Sequence, residues 1–121
     1  DSGVGGEAIA SALQNSFVDA EIIVVNDTKN IPYGDKAPAK IIALTDTAIQ
    51  PLLNSNCDVI VIACNSATLA AIDVLRSTYP AQLFIGIEPM VKSAAQLTKT
   101  TRLYEWLYDN RTELCRLGAN D

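Results

Sequence analysis

The chain has 121 residues, which is enough for one domain with a hydrophobic core, and 49% of them are apolar. Its formal net charge of -5 at pH 7 argues against nucleic acid as a partner, because no basic patch is available to contact phosphates. The apolar runs are too short for a membrane-spanning helix and no signal-peptide pattern opens the chain, so we expect no membrane partner. Three cysteines without CxxC spacing favour a reducing compartment and predict a cytoplasmic protein.

The chain contains no histidine, and this restricts the chemistry that it can perform. No imidazole is available as a general base or metal ligand, so a Cys–His or Ser–His nucleophile pair is excluded within the chain. A zinc site would require the three scattered cysteines together with a carboxylate, and their spacing does not support one. We therefore predict no metal.

The first third of the chain is predicted to form a turn, a helix, a strand and a loop, in that order. Asp1–Gly6 is glycine-rich, as in turns that let the backbone approach a ligand, although an ordinary flexible turn fits equally well. Glu7–Phe17 has helical spacing, and Glu21–Val25 is an apolar, β-branched run that predicts a strand. The polar stretch Asn26–Gly34 then predicts a long loop.

Within that loop, Tyr33 lies between a proline and a glycine. Pro32 fixes one backbone angle and Gly34 permits conformations that other residues resist, so we expect the Tyr33 hydroxyl to hold a defined place. The loop leaves the carboxyl end of a predicted strand and would face the same crevice as the next motif. A surface turn is the alternative interpretation.

The most informative motif follows a second predicted helix, Pro38–Asn54, in which Pro51 should end or kink the helix. Val59–Ala63 is an uninterrupted apolar run, typical of a strand covered on both faces in a parallel sheet. The polar residues Cys64, Asn65 and Ser66 interrupt the apolar pattern, which resumes at helical spacing in Ala67–Leu75.

These polar residues are therefore predicted to lie between the carboxyl end of a strand and a helix N-terminus, where ligands bind in open α/β sheets. Ser66 is the predicted N-cap of the helix. The partial positive charge of a helix N-terminus favours a thiolate, so Cys64 is a candidate reactive thiol. The alternative is that Cys64 is a small buried hydrophobic residue.

The remaining elements complete an α/β pattern. Leu83–Ile87 is a predicted strand and Met90–Thr98 a predicted helix, and Thr101–Asp121 predicts an amphipathic helix that packs on the domain or on a partner chain. We predict a doubly wound, mostly parallel sheet with flanking helices in residues 1–99, followed by a C-terminal amphipathic helix in residues 100–121.

Four segments, in this order and spacing, closely resemble the N-terminal half of bacterial glutamate racemase, in the aspartate/glutamate racemase superfamily. They are DSGVGG at Asp1–Gly6, NDTKNIPYGDK at Asn26–Lys36, IVIACNSAT at Ile60–Thr68 and IGIEPMVKSAA at Ile85–Ala95. The resemblance implies a pair of doubly wound domains with glutamate in the crevice between them. It also implies no cofactor, because two cysteines, one from each domain, exchange the proton on opposite faces of the substrate α-carbon.

The resemblance assigns roles to residues of this chain. Cys64 would be the acid/base of the first domain, and Asp1 would orient or assist its thiol. The amino and carboxylate groups of glutamate would be held by Asp1, Ser2, Tyr33, Gly34, Asn65 and Ser66, where Ser66 stands in place of the usual threonine. Cys57, at the opposite end of the predicted strand, should take no part.

The chain also departs from the family pattern. The family's first strand would stand just before Asp1, and its second domain carries the second cysteine in a Gly-Cys-Thr-His motif that this sequence lacks. The resemblance therefore implies half of a site that makes D-glutamate for peptidoglycan. Two alternatives are a racemase relative acting on aspartate and a non-catalytic remnant. Such a remnant would bind small dicarboxylates or pair with another chain, including a second copy, through its tail helix.

Overall fold

The computed structural model describes residues 5–87, which fall in the first of the two units into which the chain divides, Asp1–Ile87. Five elements follow one another here: α1 (Gly5–Ser16), α2 (Pro38–Asn54), β1 (Val59–Ile62), α3 (Asn65–Thr78) and β2 (Leu83–Gly86). No helix in this range is long and apolar enough to cross a membrane. The helix predicted at residues 90–98 and the predicted tail helix lie outside the described residues.

The two strands form a parallel pair connected through α3. Val59 is opposite Leu83 and Ile62 is opposite Gly86, so the four residues of each strand pair in register. A parallel pair requires a crossover connection, and α3 provides it. The predicted α/β class, with a parallel sheet and flanking helices, is confirmed for this part of the chain.

Helix α2 has well-marked ends. Pro38 begins it, at a position where the missing N–H costs no hydrogen bond. The helix continues past Pro51 to Asn54, and the Ser55 N–H then donates to the Pro51 carbonyl over 3.1 Å. Asn56 takes a left-handed conformation with φ 53°, which asparagine tolerates better than most residues. The predicted break after the helix is therefore confirmed.

The hydrophobic core lies between the sheet and the helices α2 and α3. The strands contribute Ile60, Ile62 and Phe84, and the remaining buried apolar side chains are Tyr33, Ile41, Ile49, Ala67, Ala71, Ile72 and Leu75. Tyr79, just after α3, joins the two helices, because its hydroxyl donates to Asp46 Oδ1 over 2.6 Å. Its ring also packs against Phe84 with the centroids 6.3 Å apart.

The continuous apolar run predicts cover on both faces of the strands, whereas residues 5–87 cover only one face. Alternate residues of β1 and β2 are buried against the helices, whereas Val59, Leu83 and Ile85 are 41%, 56% and 48% exposed. Successive side chains of a strand point to opposite faces, so these three lie on the face away from the core. In residues 5–87 the sheet therefore has one buried face and one open apolar face.

The strand predicted at Glu21–Val25 is not formed. Residues 20–25 have no strand conformation and line, together with residues 57–63, a cavity of about 690 Å³. An apolar β-branched run predicts a strand only if a partner strand is present to take its hydrogen bonds. Among the described residues, the sheet contains β1 and β2 alone.

The apolar lining of this cavity leads to a testable prediction. Ile9 and Leu13 of α1 contribute to its wall together with Val59 and other aliphatic side chains. We expect the chain to bind 8-anilinonaphthalene-1-sulfonate with a clear rise in fluorescence, because such dyes enter exposed apolar cavities. Val59→Asp should reduce this rise at least severalfold by placing a charge in the wall.

Val74→Asp is the matched control for this experiment. Val74 is 43% exposed, close to the 41% of Val59, but it lies on α3 and does not line the cavity. Circular dichroism would establish that both variants keep their helices. Equal fluorescence of the two variants would contradict the assignment of dye binding to this cavity.

Candidate functional site

Cys64 occupies the turn between β1 and α3. It is the N-cap of α3, with extended backbone angles (φ -108°, ψ 124°), and its carbonyl accepts the first helical hydrogen bond from the Thr68 N–H at 2.9 Å. The prediction that Ser66 is the N-cap is wrong, because the helix begins at Asn65, two residues earlier than a cap at Ser66 would place it. Cys64 therefore lies directly at the positive end of the helix dipole.

Asn65 and Ser66 form the start of α3, and both are half-buried. The N–H groups of a first helical turn have no partner within the helix, so this turn offers donors to an anionic group. The cavity wall is formed here by Cys64 and Ala67, while Asn65 and Ser66 are next to them in the chain.

Thr68 fixes the position of this turn. It is only 1% exposed, and its hydroxyl donates to the Ile62 carbonyl at the end of β1 over 3.1 Å. The same carbonyl accepts the Ile87 N–H from the end of β2 over 3.1 Å. The carbonyl of Ile62, the last residue of β1, is thus hydrogen-bonded both to the first turns of α3 and to the residue that follows β2.

Tyr33 lines the same cavity as Cys64, together with Gly6 near the start of α1. Its side chain is 4% exposed, which does not fit a surface turn, although the flanking Pro32 and Gly34 are exposed. No glycine between residues 5 and 87 has a positive φ, so Gly34 does not use the conformational freedom that the sequence suggested. The ring of Tyr33 anchors an otherwise exposed loop.

The hydroxyl of Tyr33 is held by Asp27. It donates to Asp27 Oδ2 over 2.7 Å, and Asn30 Nδ2 donates to both carboxylate oxygens of Asp27, over 2.9 Å and 3.0 Å. Asp27 itself is half-buried and does not line the cavity. Asp27 therefore acts on the cavity through its hydrogen bond to the Tyr33 hydroxyl.

This arrangement raises the pKa of Tyr33 and lowers the pKa of Asp27. Burial, the hydrogen bond to Asp27 and the charges of Asp27 and Cys64 raise the pKa of Tyr33 far above its usual value. Burial alone would raise the pKa of Asp27, but the hydrogen bonds from Tyr33 and Asn30 and the charge of Lys29 bring that pKa below its usual value. The pair is therefore a neutral phenol and an ionised carboxylate at physiological pH.

The structure brings some of the sequence-predicted site residues together. Tyr33 and Cys64 share one cavity wall, and Gly34, Asn65 and Ser66 lie beside them in the chain. Asp1 and Ser2 lie outside the described residues. Cys57 lines the cavity at the other end of β1, which rises about 3.3 Å per residue and so keeps the two thiols more than about 10 Å apart.

Sequence reasoning missed the polar residues that support Tyr33. Asp27 and Asn30 were part of a predicted loop but had no predicted role. Asn26 of the same loop also had no predicted role. It donates to Glu7 Oε1 of α1 over 3.2 Å, while its own buried Oδ1 has no hydrogen-bond partner within residues 5–87. The available signal was their position just after an apolar run, at the edge where ligands bind.

The arrangement can support proton transfer at carbon. A thiolate is a base of moderate strength, and the helix N-terminus provides fixed dipoles that stabilise negative charge near it. Tyr33 stays protonated and does not compete as a base. Cys57 and Cys64 are both reduced thiols among the described residues. The fold and this turn define a class, an α/β domain with a candidate acid/base thiol at a strand-to-helix turn.

The sequence comparisons give curated proteins that this chain resembles. The chain is 40% identical over 104 residues to a glutamate racemase of Sulfurovum sp. and 41% identical over 103 residues to one of Clostridium novyi. Each match covers 85% of this chain but only 39% and 40% of the relative. The chain therefore spans about two fifths of the length of these curated relatives. No family model matches the chain.

The structural comparison agrees with the sequence. A glutamate racemase from Aquifex pyrophilus superimposes with a TM-score of 0.71 at 28% identity, covering 98% of this chain and 50% of that one. The chain is therefore similar, in sequence and in fold, to part of these glutamate racemases.

Proposed function

We propose that this chain carries one half of a cofactor-independent site that interconverts L- and D-glutamate, with Cys64 as the acid/base on one face of the substrate α-carbon. The observation that carries the proposal is the position of Cys64 at the N-terminus of α3, in the wall of a cavity that it shares with the buried Tyr33. The second thiol would come from a second domain, as the resemblance implies. The product would be D-glutamate for peptidoglycan, made in the cytoplasm.

The reaction depends on the position of the base relative to the substrate α-carbon more than on the strength of the base. An amino-acid α-proton is far less acidic than a thiol, so the site must stabilise a carbanion-like transition state by positioning and fixed dipoles. The first-turn N–H groups of Asn65 and Ser66 are available to hold a substrate carboxylate beside Cys64. Asp1 and Ser2, together with the Tyr33–Gly34 loop, are proposed to hold the remaining polar groups of glutamate.

The test is proton NMR of D- and L-glutamate incubated with the full chain in deuterated water. We expect the α-proton of one enantiomer to exchange for deuterium without inversion, because a single thiolate removes and returns the proton on the same face. D- and L-aspartate, run in parallel, should exchange at least about tenfold more slowly, since the shorter side chain cannot satisfy the same contacts.

Other outcomes of this experiment have definite meanings. Exchange with inversion would mean that a second acid is supplied, for example by another copy of the chain. Faster exchange of aspartate would identify an aspartate racemase relative. Absence of exchange with all four amino acids, in a sample that circular dichroism shows to be folded, would contradict the proposal and favour the non-catalytic remnant.

A further inference from the structure

The hydrogen bond between Asp27 and Tyr33 suggests a role for a carboxylate that stands behind the site. We propose that Asp27 is a positioning residue, which accepts a hydrogen bond from the Tyr33 hydroxyl and thereby holds Tyr33, with the Tyr33–Gly34 loop, at the wall of the glutamate cavity that Cys64 also lines. The proposal rests on the proposed function for its ligand. The contact between Asp27 and Tyr33 is independent of it.

The burial pattern of the loop shows why such an anchor matters. Ile31, Pro32, Gly34 and Asp35 are all exposed, whereas the Tyr33 side chain is 4% exposed. The loop is therefore held to the domain mainly through one ring. The only polar atom of that ring is bonded to Asp27 over 2.7 Å, a short distance that fits a hydrogen bond to an ionised acceptor.

Asp27 is itself held in place. Asn30 Nδ2 lies 2.9 Å and 3.0 Å from its two carboxylate oxygens, and the Asn30 N–H donates to the Asp27 carbonyl over 3.4 Å. Asn30 thus donates hydrogen bonds to Asp27 from both its side chain and its backbone, which closes the turn between these two residues. The acceptor that Tyr33 meets is thus fixed before any ligand binds, which lowers the entropy cost of binding.

The direction of the hydrogen bond has a chemical consequence. A phenol hydroxyl has one O–H, and Tyr33 uses it to donate a hydrogen bond to Asp27. Any ligand atom that reaches the Tyr33 oxygen therefore meets a hydrogen-bond acceptor, which suits the ammonium group of an amino acid and not its carboxylates. The carboxylates must be bound by other donors, such as the backbone N–H groups of the first turn of α3.

The first arm of the test is a double-mutant cycle on glutamate affinity, measured by calorimetry with the full chain. We expect Asp27→Ala and Tyr33→Phe each to weaken binding by about tenfold, the effect of losing one hydrogen bond to a charged group. The double variant should also lose about tenfold rather than a hundredfold, because Asp27 acts through Tyr33. Asp35→Ala removes an exposed carboxylate from the same loop and should leave the affinity unchanged.

The second arm reads the position of Tyr33 without glutamate. In a chain labelled with 13C at the tyrosine ζ carbon, the Tyr33 signal, assigned from Tyr33→Phe, should not titrate until strongly alkaline pH. Asp27→Ala should move that titration to lower pH, because the hydrogen bond to Asp27 stabilises the neutral phenol and the Asp27 charge opposes the phenolate. It should also shift the Gly34 amide signal. Asp27→Asn gives the same titration readout if the alanine variant does not fold.

The two arms separate the possible failures. If Asp27→Ala leaves the Tyr33 titration and the Gly34 amide unchanged, the positioning role is wrong whatever happens to glutamate. Additive losses of affinity in the double variant would also overturn it, because they would mean that Asp27 acts independently of Tyr33. A wild-type chain that does not bind glutamate, with both NMR signals moved by Asp27→Ala, would overturn the proposed function and leave the contact with Tyr33 supported.

Discussion

We expect Cys64→Ser to abolish α-proton exchange at glutamate while leaving the domain at least as stable as the wild type. An alcohol is not ionised at neutral pH, so the variant loses the base, and a general base typically contributes about 10²–10⁴-fold to the rate. Deuterium incorporation measured by NMR should therefore fall to the background rate of glutamate alone. Cys64→Ala should have the same effect on exchange.

Serine is the more informative replacement because of the position of Cys64 in the fold. Cys64 is the N-cap of α3 and makes no side-chain capping hydrogen bond. Serine is one of the preferred N-cap residues, and a gained cap contributes up to about 1 kcal/mol. The free energy of unfolding, measured with urea, should thus stay equal or rise, which separates the loss of chemistry from a loss of structure.

Cys57→Ala is the control for the loss of a thiol. Cys57 lines the same cavity and is also partly buried, but it lies before β1, at the end of the strand remote from Cys64. This variant should keep exchange close to the wild-type rate. Equal loss in Cys57→Ala and Cys64→Ser would refute the assignment, as would undiminished exchange in Cys64→Ser.

The parts of the fold that the sequence predicts well are those with local signals. Helix α2 begins and ends where the sequence indicates, because Pro38 suits a first helical position and Asn56 accepts a left-handed conformation after the last turn. The strands β1 and β2 agree with the predicted runs to within one residue at either end. These signals depend on neighbours in the chain and do not need the rest of the molecule.

The errors occur where the outcome depends on tertiary contacts. The run at residues 21–25 has the composition of a strand, but composition does not say which strand it pairs with. In α3, the helical spacing of the large apolar residues places Leu69 on the same face as Ile72, yet Leu69 is 48% exposed. The buried face is made of the smaller Ala67, Thr68 and Ala71 along with Ile72 and Leu75. Small residues allow the helix to approach its neighbours closely, and periodicity of large residues does not reveal that.

The candidate site shows the same division. A strand-to-helix turn is visible in the sequence, so the region of Cys64 could be predicted, and Tyr33 was singled out by its flanking proline and glycine. The capping register was not visible, since Ser66 is the better cap by residue type whereas Thr68 anchors the turn that makes Cys64 the N-cap. The contact of Asp27 with Tyr33 spans six residues of irregular loop, whose geometry no periodic pattern encodes.

The anchoring of that turn leads to the second large effect. We expect Gly86→Ala to lower the free energy of unfolding by about 2–3 kcal/mol, in the range of overpacked cores. A Cβ at Gly86 would overlap Thr68 Cγ2, and it would lie 3.3 Å from Thr68 Oγ1 and 3.4 Å from Ile72 Cδ1. Thr68 cannot rotate away without losing its buried hydrogen bond to the Ile62 carbonyl. Urea unfolding of both proteins measures the difference.

Thr68→Ser supplies the matched rescue. Serine removes the Cγ2 methyl that the new Cβ would meet and keeps the hydroxyl that bonds to Ile62. Alone it should cost about 1 kcal/mol for one buried methyl, but in the Gly86→Ala background it should restore stability, a coupling of opposite sign. Additive losses would contradict this packing. Because the Thr68 N–H bonds to the Cys64 carbonyl, exchange by folded Gly86→Ala should fall too, and the rescue should return it.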